Sequence, residues 1–178
     1  MATAVSRPVA AEYASYYGGY VSLVKGDGVL AQLTSQIQAT VSLLSNIDEE
    51  KADYRYEPGK WSIREVLGHM IDAERIFAYR ALRFSRYEPA NLPGFEQDNY
   101  VCLGPYAQCK MAYLIEEVEI VRKGTLCVFR NMTPEMWSRG GVASDNPMTV
   151  RAVAYVLAGH ELRHVQVLKE RYLTDPKA

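Results

Sequence analysis

The chain has 178 residues, 48% of them hydrophobic and 23% charged, which is enough for one domain with a substantial core of its own. Its 20 basic and 21 acidic residues leave a net charge of −1, with no basic run longer than two, so the electrostatic footprint of a nucleic-acid binder is excluded. The three cysteines, Cys102, Cys109 and Cys127, are odd in number and lack C-x-x-C spacing, which points to a reducing compartment and away from a disulfide framework or a thiolate zinc site.

The N-terminal MATAVSRPVAAEY carries no sustained apolar stretch after a positive start, and no segment approaches the roughly 18 uninterrupted apolar residues of a membrane span. A cytoplasmic protein without a membrane partner is expected. Residues 1–26 read as a lead-in that packs on the domain, with YASYYGGY (Tyr13 to Tyr20) extended over it. Asp27 then offers an N-cap for a first helix carrying Val29, Leu30, Leu33, Ile37, Val41 and Leu44 at helical spacing and ending near Asn46. A polar connection with Pro58-Gly59 follows. Ser62 and Glu65 form an S-x-x-E capping box, so a second helix starts there, with Ile63, Val66, Leu67, Met70, Ile71, Phe77, Ala81 and Phe84 on its apolar face.

From Arg86 to Pro105 the chain holds three prolines and two glycines, a composition read as excluding a helix. Tyr106 to about Asn131 resumes the helical period. Thr133-Pro134-Glu135 opens one short turn through Trp137, proline being suited to the first helical position. A Gly-Gly and Asp-Asn-Pro loop leads to Thr149, the cap of a last helix that runs to Arg171 or Tyr172. No strand pattern stands out. The domain is expected to span 27–173, with 174–178 as a short tail.

Four long helices predict an all-α four-helix bundle. The segment from Arg86 to Pro105, about 20 residues, reaches up to about 65 Å when extended, against about 33 Å for a helix of some 22 residues. It can therefore cross the whole bundle and let the second and third helices run parallel, which gives an up-down-down-up topology. A long loop inside a compact domain is also commonly functional.

The chain has only three histidines, and two of them stand in AGHELRH, Ala158 to His164. This is formally the H-E-x-x-H string of zinc proteases. In a helix the two histidines differ by about 40° and one turn, so both rings can address one ion. Val153, Leu157, Val167 and Leu168 point the same way, so the pair faces the bundle interior. A lone core histidine is ordinarily a hydrogen-bonded polar residue. Two on one stripe, with His69 inward on the second helix, cost free energy unless something satisfies them, and a metal ion does so. A zincin takes its third ligand shortly downstream, where this chain has only Glu170 and Asp175. The candidate third ligand is upstream, on another helix, which is the wrong context for a protease.

The segments GKWSIREVLGHMIDAERIFAYRALRFSR (Gly59 to Arg86), LPGFEQDNYV (Leu92 to Val101) and VRAVAYVLAGHELRHVQVLKERYL (Val150 to Leu173) resemble the DinB-like superfamily, in order and in spacing, over about Tyr13 to Leu173. These four-helix proteins, unrelated to the DNA polymerase of similar name, carry one histidine on the second helix and an H-x-x-x-H pair on the last. The resemblance implies one divalent ion per chain, zinc or nickel first and manganese or iron next, held by His69, His160 and His164 with water completing the shell. Members often carry a further histidine just before the last ligand, where this chain has Arg163. Better-characterised relatives transfer or isomerise with low-molecular-weight thiols such as bacillithiol or mycothiol, and others are described as metal-dependent hydrolases. The expectation is a metal-dependent transferase acting on a small molecule with a cellular thiol, in a homodimer. The alternatives are a hydrolase of small esters or amides and a non-catalytic metal-binding stress protein.

Auxiliary residues divide less cleanly. Glu161, about 100° round the helix from His160, reads equally as a proton shuttle and as a solvated surface charge. Asp72 can orient His69, though an ion pair with Arg75 or Arg80 is preferred. Glu96 and Asp98 either rim the pocket or solvate the crossover. Trp61, Tyr20 and Phe95 offer aromatic walls, or ordinary packing.

Overall fold

The computed structural model describes residues 5–26 and 28–174. Its helices are α1 (Gly18–Leu23), α2 (Val29–Leu44), α3 (Glu49–Ala52), α4 (Ile63–Ser85), α5 (Gln97–Leu103), α6 (Met111–Arg130), α7 (Pro134–Ser138) and α8 (Val150–Val167), the last running on through a π-helical turn, Leu168–Tyr172. Between α7 and α8 lies an antiparallel hairpin of β1 (Gly140–Ala143) and β2 (Asn146–Thr149), in which Gly140 pairs with Thr149 and Ala143 with Asn146.

The helix starts follow from local chemistry. Ser62 accepts from the Glu65 amide while the Glu65 carboxylate takes the Ser62 amide, which closes the capping box at α4. Thr149 accepts from the Ala152 amide at α8, and Pro134 occupies the first turn of α7. Ahead of α2 the cap residue is Gly28, with no side-chain bond, and Asp27 lies outside the described residues.

The four long helices α2, α4, α6 and α8 form a bundle in the up-down-down-up order. At one end the C-terminal half of α2 (Ile37, Leu44) meets the starts of α4 and α6 (Ile63, Met111) and the end of the last helix (Leu168). At the other end Val29 and Leu33 meet Phe84, Phe129 and Val153. Helices α4 and α6 therefore run parallel, joined by the crossover from Arg86 to Pro105. Between the two apolar clusters lies a buried polar layer that ties all four helices. Arg122 of α6 donates to Glu74 of α4 at 2.7 and 2.8 Å and to the Leu33 carbonyl of α2 at 2.8 Å, and pairs with Glu161 of α8 at 2.8 Å.

Three elements depart from the expectation. The crossover is not free of helix: α5 occupies the stretch between Pro93 and Pro105, where proline is absent. The lead-in is helical rather than extended, because α1 packs closely on α8. Gly159 allows this, since a Cβ there would stand 2.0 Å from the Tyr20 carbonyl oxygen and 2.8 Å from its Cα. The hairpin escaped notice because its turn residues, Ser144 and Asp145, carry left-handed φ values of 51° and 62° without a glycine. It is held by the crossover, whose Leu92 amide donates to the Val142 carbonyl and whose Leu92 carbonyl accepts from the Ser144 amide, both at 2.9 Å. No helix among the described residues is long and apolar enough to cross a membrane.

Candidate metal centre

His69 on α4 and His160 and His164 on α8 converge. Nε2 of His160 stands 3.0 Å from Nε2 of His69 and 3.1 Å from Nε2 of His164. Two nitrogens each about 2.0–2.1 Å from one ion lie about 3.0 Å apart at a right angle and about 3.4 Å apart at the tetrahedral angle. The observed spacings fall at the narrow end of that range, so the donor set fits a divalent ion on one face. The three are the group of His, Cys, Asp or Glu side chains, among the described residues, whose donor atoms come together within 4.8 Å.

The electrostatics favour the ligating form. Burial, only partly offset by the Asp98 carboxylate, lowers the His69 pKa to about 4. Burial, aided by His69 and the Arg163 cation, takes His164 to about 3. Burial and the two neighbouring rings push His160 well below its ordinary value. At neutral pH all three imidazoles are uncharged, with lone pairs free to coordinate.

Aromatic rings enclose the cluster. Trp61 lies 4.9 Å from the His69 ring and Tyr20 lies edge-on to His160 at 5.4 Å. A cavity of about 430 Å³ opens on His69 and His160 and is walled by Tyr17, Phe77 and Phe95. A second, of about 420 Å³, opens on His164 between Trp61, Tyr56 and Tyr172. Tyr20 belongs to both walls. Glu96 rims the first cavity and Asp98 the second, so both crossover acids sit at the mouths while exposed. Arg163 stands beside His164 at the rim of the second.

Glu161 is neither a surface charge nor directed at the histidines. It is 3% exposed, and its carboxylate takes hydrogen bonds from Gln36 and Thr40 and the ion pair with Arg122. The turn that aims His160 into the site aims its neighbour about 100° away, into the polar layer. Asp72 also serves another partner than those expected. It lies toward the Tyr106 hydroxyl, whose pKa is raised by burial and by that carboxylate, while Arg75 pairs with Glu117 and Arg80 with the Pro93 carbonyl. The sequence reading missed Arg80 and Tyr17 as cavity residues. The available signal was the spacing from His69 to Arg80, about three helical turns on one face.

Among solved structures, YfiT from Bacillus subtilis, described as a probable metal-dependent hydrolase with an unusual four-helix bundle topology, superposes with a TM-score of 0.67 over 93% of this chain and 91% of that one, at 13% identity. Such a likeness shows the shared fold. Among curated proteins none is similar enough to count as a match. The model of the DinB superfamily matches residues 32–168, which hold all three histidines and all four bundle helices but for the first turn of α2, and the chain belongs to that superfamily.

Proposed function

We propose that the protein is a divalent-metal-dependent enzyme that transfers a low-molecular-weight thiol to an electrophilic small molecule, with His69, His160 and His164 holding one ion per chain, zinc or nickel. The observation that carries this reading is the pair of similar cavities meeting at the three imidazoles and divided by Tyr20, about 430 and 420 Å³. A reaction of two organic substrates needs two such compartments, whereas hydrolysis needs one and a water molecule. When bound, the ion supplies Lewis acidity and lowers the pKa of the protic group it takes up.

The chain's own residues do the rest. The neutral imidazoles, those of His69 and His160 buried and that of His164 partly exposed, bring their donor nitrogens together, and Trp61 and Tyr20 pack against the rings of His69 and His160. The thiol's proton leaves to solvent at the cavity mouth, where Glu96 and Asp98 are exposed. As the sulfur–carbon bond forms, the bond from that carbon to its leaving group breaks, and the group departs to solvent with the electron pair, as chloride does from a chloroarene. Sequestration of Glu161 also argues against water attack, because the carboxylate next to His160 in sequence is unavailable as a base. The second reading is a hydrolase of small esters or amides. It is favoured by Asp98, an exposed carboxylate on the wall of the second cavity whose charge acts on His69.

The test has two stages. Metal analysis of the wild type should give about one divalent ion per chain, lost in His160→Ala and His164→Ala. Undiminished metal in both variants would end the three-histidine reading. The loaded protein is then assayed with 1-chloro-2,4-dinitrobenzene and bacillithiol, mycothiol or glutathione, and with an ester and amide panel without thiol. Conjugation that fails in His69→Ala supports the transferase. Turnover of the ester or amide panel, with no thiol supporting conjugation, transfers the assignment to hydrolysis. Metal that merely holds the fold would be revealed by unfolding on chelation.

A further inference from the structure

Three arginines are buried, and they differ in what meets their charge. Arg64 has Glu49 and Asp53, and Arg122 has Glu74 and Glu161. Arg80, 3% exposed, has no carboxylate within 4.0 Å among the described residues. Its Nη2 donates to the Pro93 carbonyl at 2.9 Å and to Ser144 Oγ at 3.3 Å, both neutral acceptors. Its Nε is buried and has no hydrogen-bond partner. A guanidinium out of water without a counter-charge is costly, and a free N–H at the same group adds to the cost.

The position of this cation gives it a use. Arg80 lines the cavity of about 430 Å³ that ends at His69 and His160, and it also borders a smaller cavity of about 280 Å³ under Tyr79 and Tyr100. It lies on the same face of α4 as His69, Ala73 and Phe77, all four bordering the larger cavity. The Cα atoms of His69 and Arg80 are about 16 Å apart along the helix, and helical side chains lean toward the N-terminus, so Arg80 leans toward the histidines. Between the two ends α4 presents apolar side chains, Ala73 and Phe77, with Phe77 under the guanidinium, its ring centre 5.2 Å from Cζ, while Tyr17, Tyr20, Glu96 and Gln97 border the same cavity. The volume is within the range of small-molecule sites, about 300–1,000 Å³.

We propose that Arg80 forms an anion subsite, taking the carboxylate of a small substrate whose apolar middle lies along Phe77 and Phe95 and whose reacting group reaches the three histidines. The proposal rests on the metal-site reading for that reacting end, and on Arg80 alone for the carboxylate. Its substrate class is an extended monocarboxylic acid. A bound carboxylate gives Arg80 the counter-charge that the protein does not supply, as the other two buried arginines already have.

The experiment compares ω-mercaptocarboxylic acids of increasing chain length with ω-mercaptoalcohols of the same length. Binding to nickel-loaded protein is followed by the thiolate-to-metal charge-transfer band, and binding to chelated protein by calorimetry. At the best-matched length the acid should bind the wild type about tenfold or more tighter than the alcohol, as a charged hydrogen bond would give. Arg80→Met should remove that preference, weakening the acid by more than the alcohol, while Arg80→Lys keeps part of it. Ser144→Ala, which removes a tie to the hairpin but no charge, should keep it whole. Equal binding of acid and alcohol to the wild type, or a preference that survives Arg80→Met, overturns the subsite. Absence of the band with every thiol would sink the metal reading alone, and the acid-to-alcohol ratio on the chelated protein would still decide for or against Arg80. Melting curves of each variant separate a loosened fold from a lost contact.

Discussion

Substituting alanine at Gly159 tests whether the close seat of α1 on α8 is a real constraint. Two effects oppose each other. In a helix interior alanine is favoured over glycine by about 1 kcal/mol. The new Cβ, however, would sit 2.0 Å from the Tyr20 carbonyl oxygen and 2.4 Å from its carbonyl carbon, both backbone atoms that cannot swing aside. Helix α1 has to retreat by more than about 1 Å, and overpacking of this kind costs about 1–3 kcal/mol, here at the upper end because the clash is with backbone. The net expectation is a loss of about 2 kcal/mol, or about 4–8 °C in Tm for a domain of this size. Gly124→Ala is the internal control. It also lies within a long helix, α6, but its Cβ would meet nothing within 4 Å, so propensity acts unopposed and Tm should rise by about 2–4 °C. Calorimetry on chelated wild type and both variants reads the two shifts. If Gly159→Ala melts at or above the wild type, α1 moves without cost and its role in holding Tyr20 against His160 falls.

Arg122→Met should cost about 3–5 kcal/mol in urea unfolding, since it leaves Glu74 and Glu161 buried without their cation, and a loss below about 1 kcal/mol would mean that the layer holds little. Chelated protein should lose stability as pH falls below about 6.5. The folded-state pKa values of His69 and His164, about 4 and about 3, lie below those of the unfolded chain, so the unfolded state binds more protons. Each histidine contributes a slope of up to about 1.4 kcal/mol per pH unit from about pH 6.5 down toward its folded pKa, and His69→Gln should reduce the slope by that amount; an unchanged slope refutes the burial argument. Casein and peptide libraries should remain uncut with zinc supplied, and cleavage sensitive to Glu161→Gln in a protease-free preparation would revive the zincin reading.

The parts of the fold that were legible are those written in local chemistry. The capping box at Ser62, the Thr149 cap and the proline opening α7 each depend on residues within one turn. The histidine cluster was legible because helical phase alone brings His160 and His164 to one side. What tertiary contact decides was not. Helicity at Gly18–Leu23 depends on a glycine far along the chain, and the hairpin depends on its bridge to Leu92 as well as on strand propensity. The fate of Glu161 turned on Arg122, Gln36 and Thr40 from two other helices, and no spacing on its own helix announces them.

The crossover bears on how such a protein can change the cavity beside its histidines. The histidines stand on bundle helices, whose packing resists substitution. Much of the cavity's outer wall, from Gly94 through Gln97, belongs instead to a strap laid over the bundle, tied down at Leu92 and by Arg80. Residues on that strap can be exchanged without repacking a helix interface. The three histidines and much of the cavity's outer wall are thereby written in separable stretches of the gene, and a lineage keeping the histidines is free to reshape the cavity mouth by editing the strap.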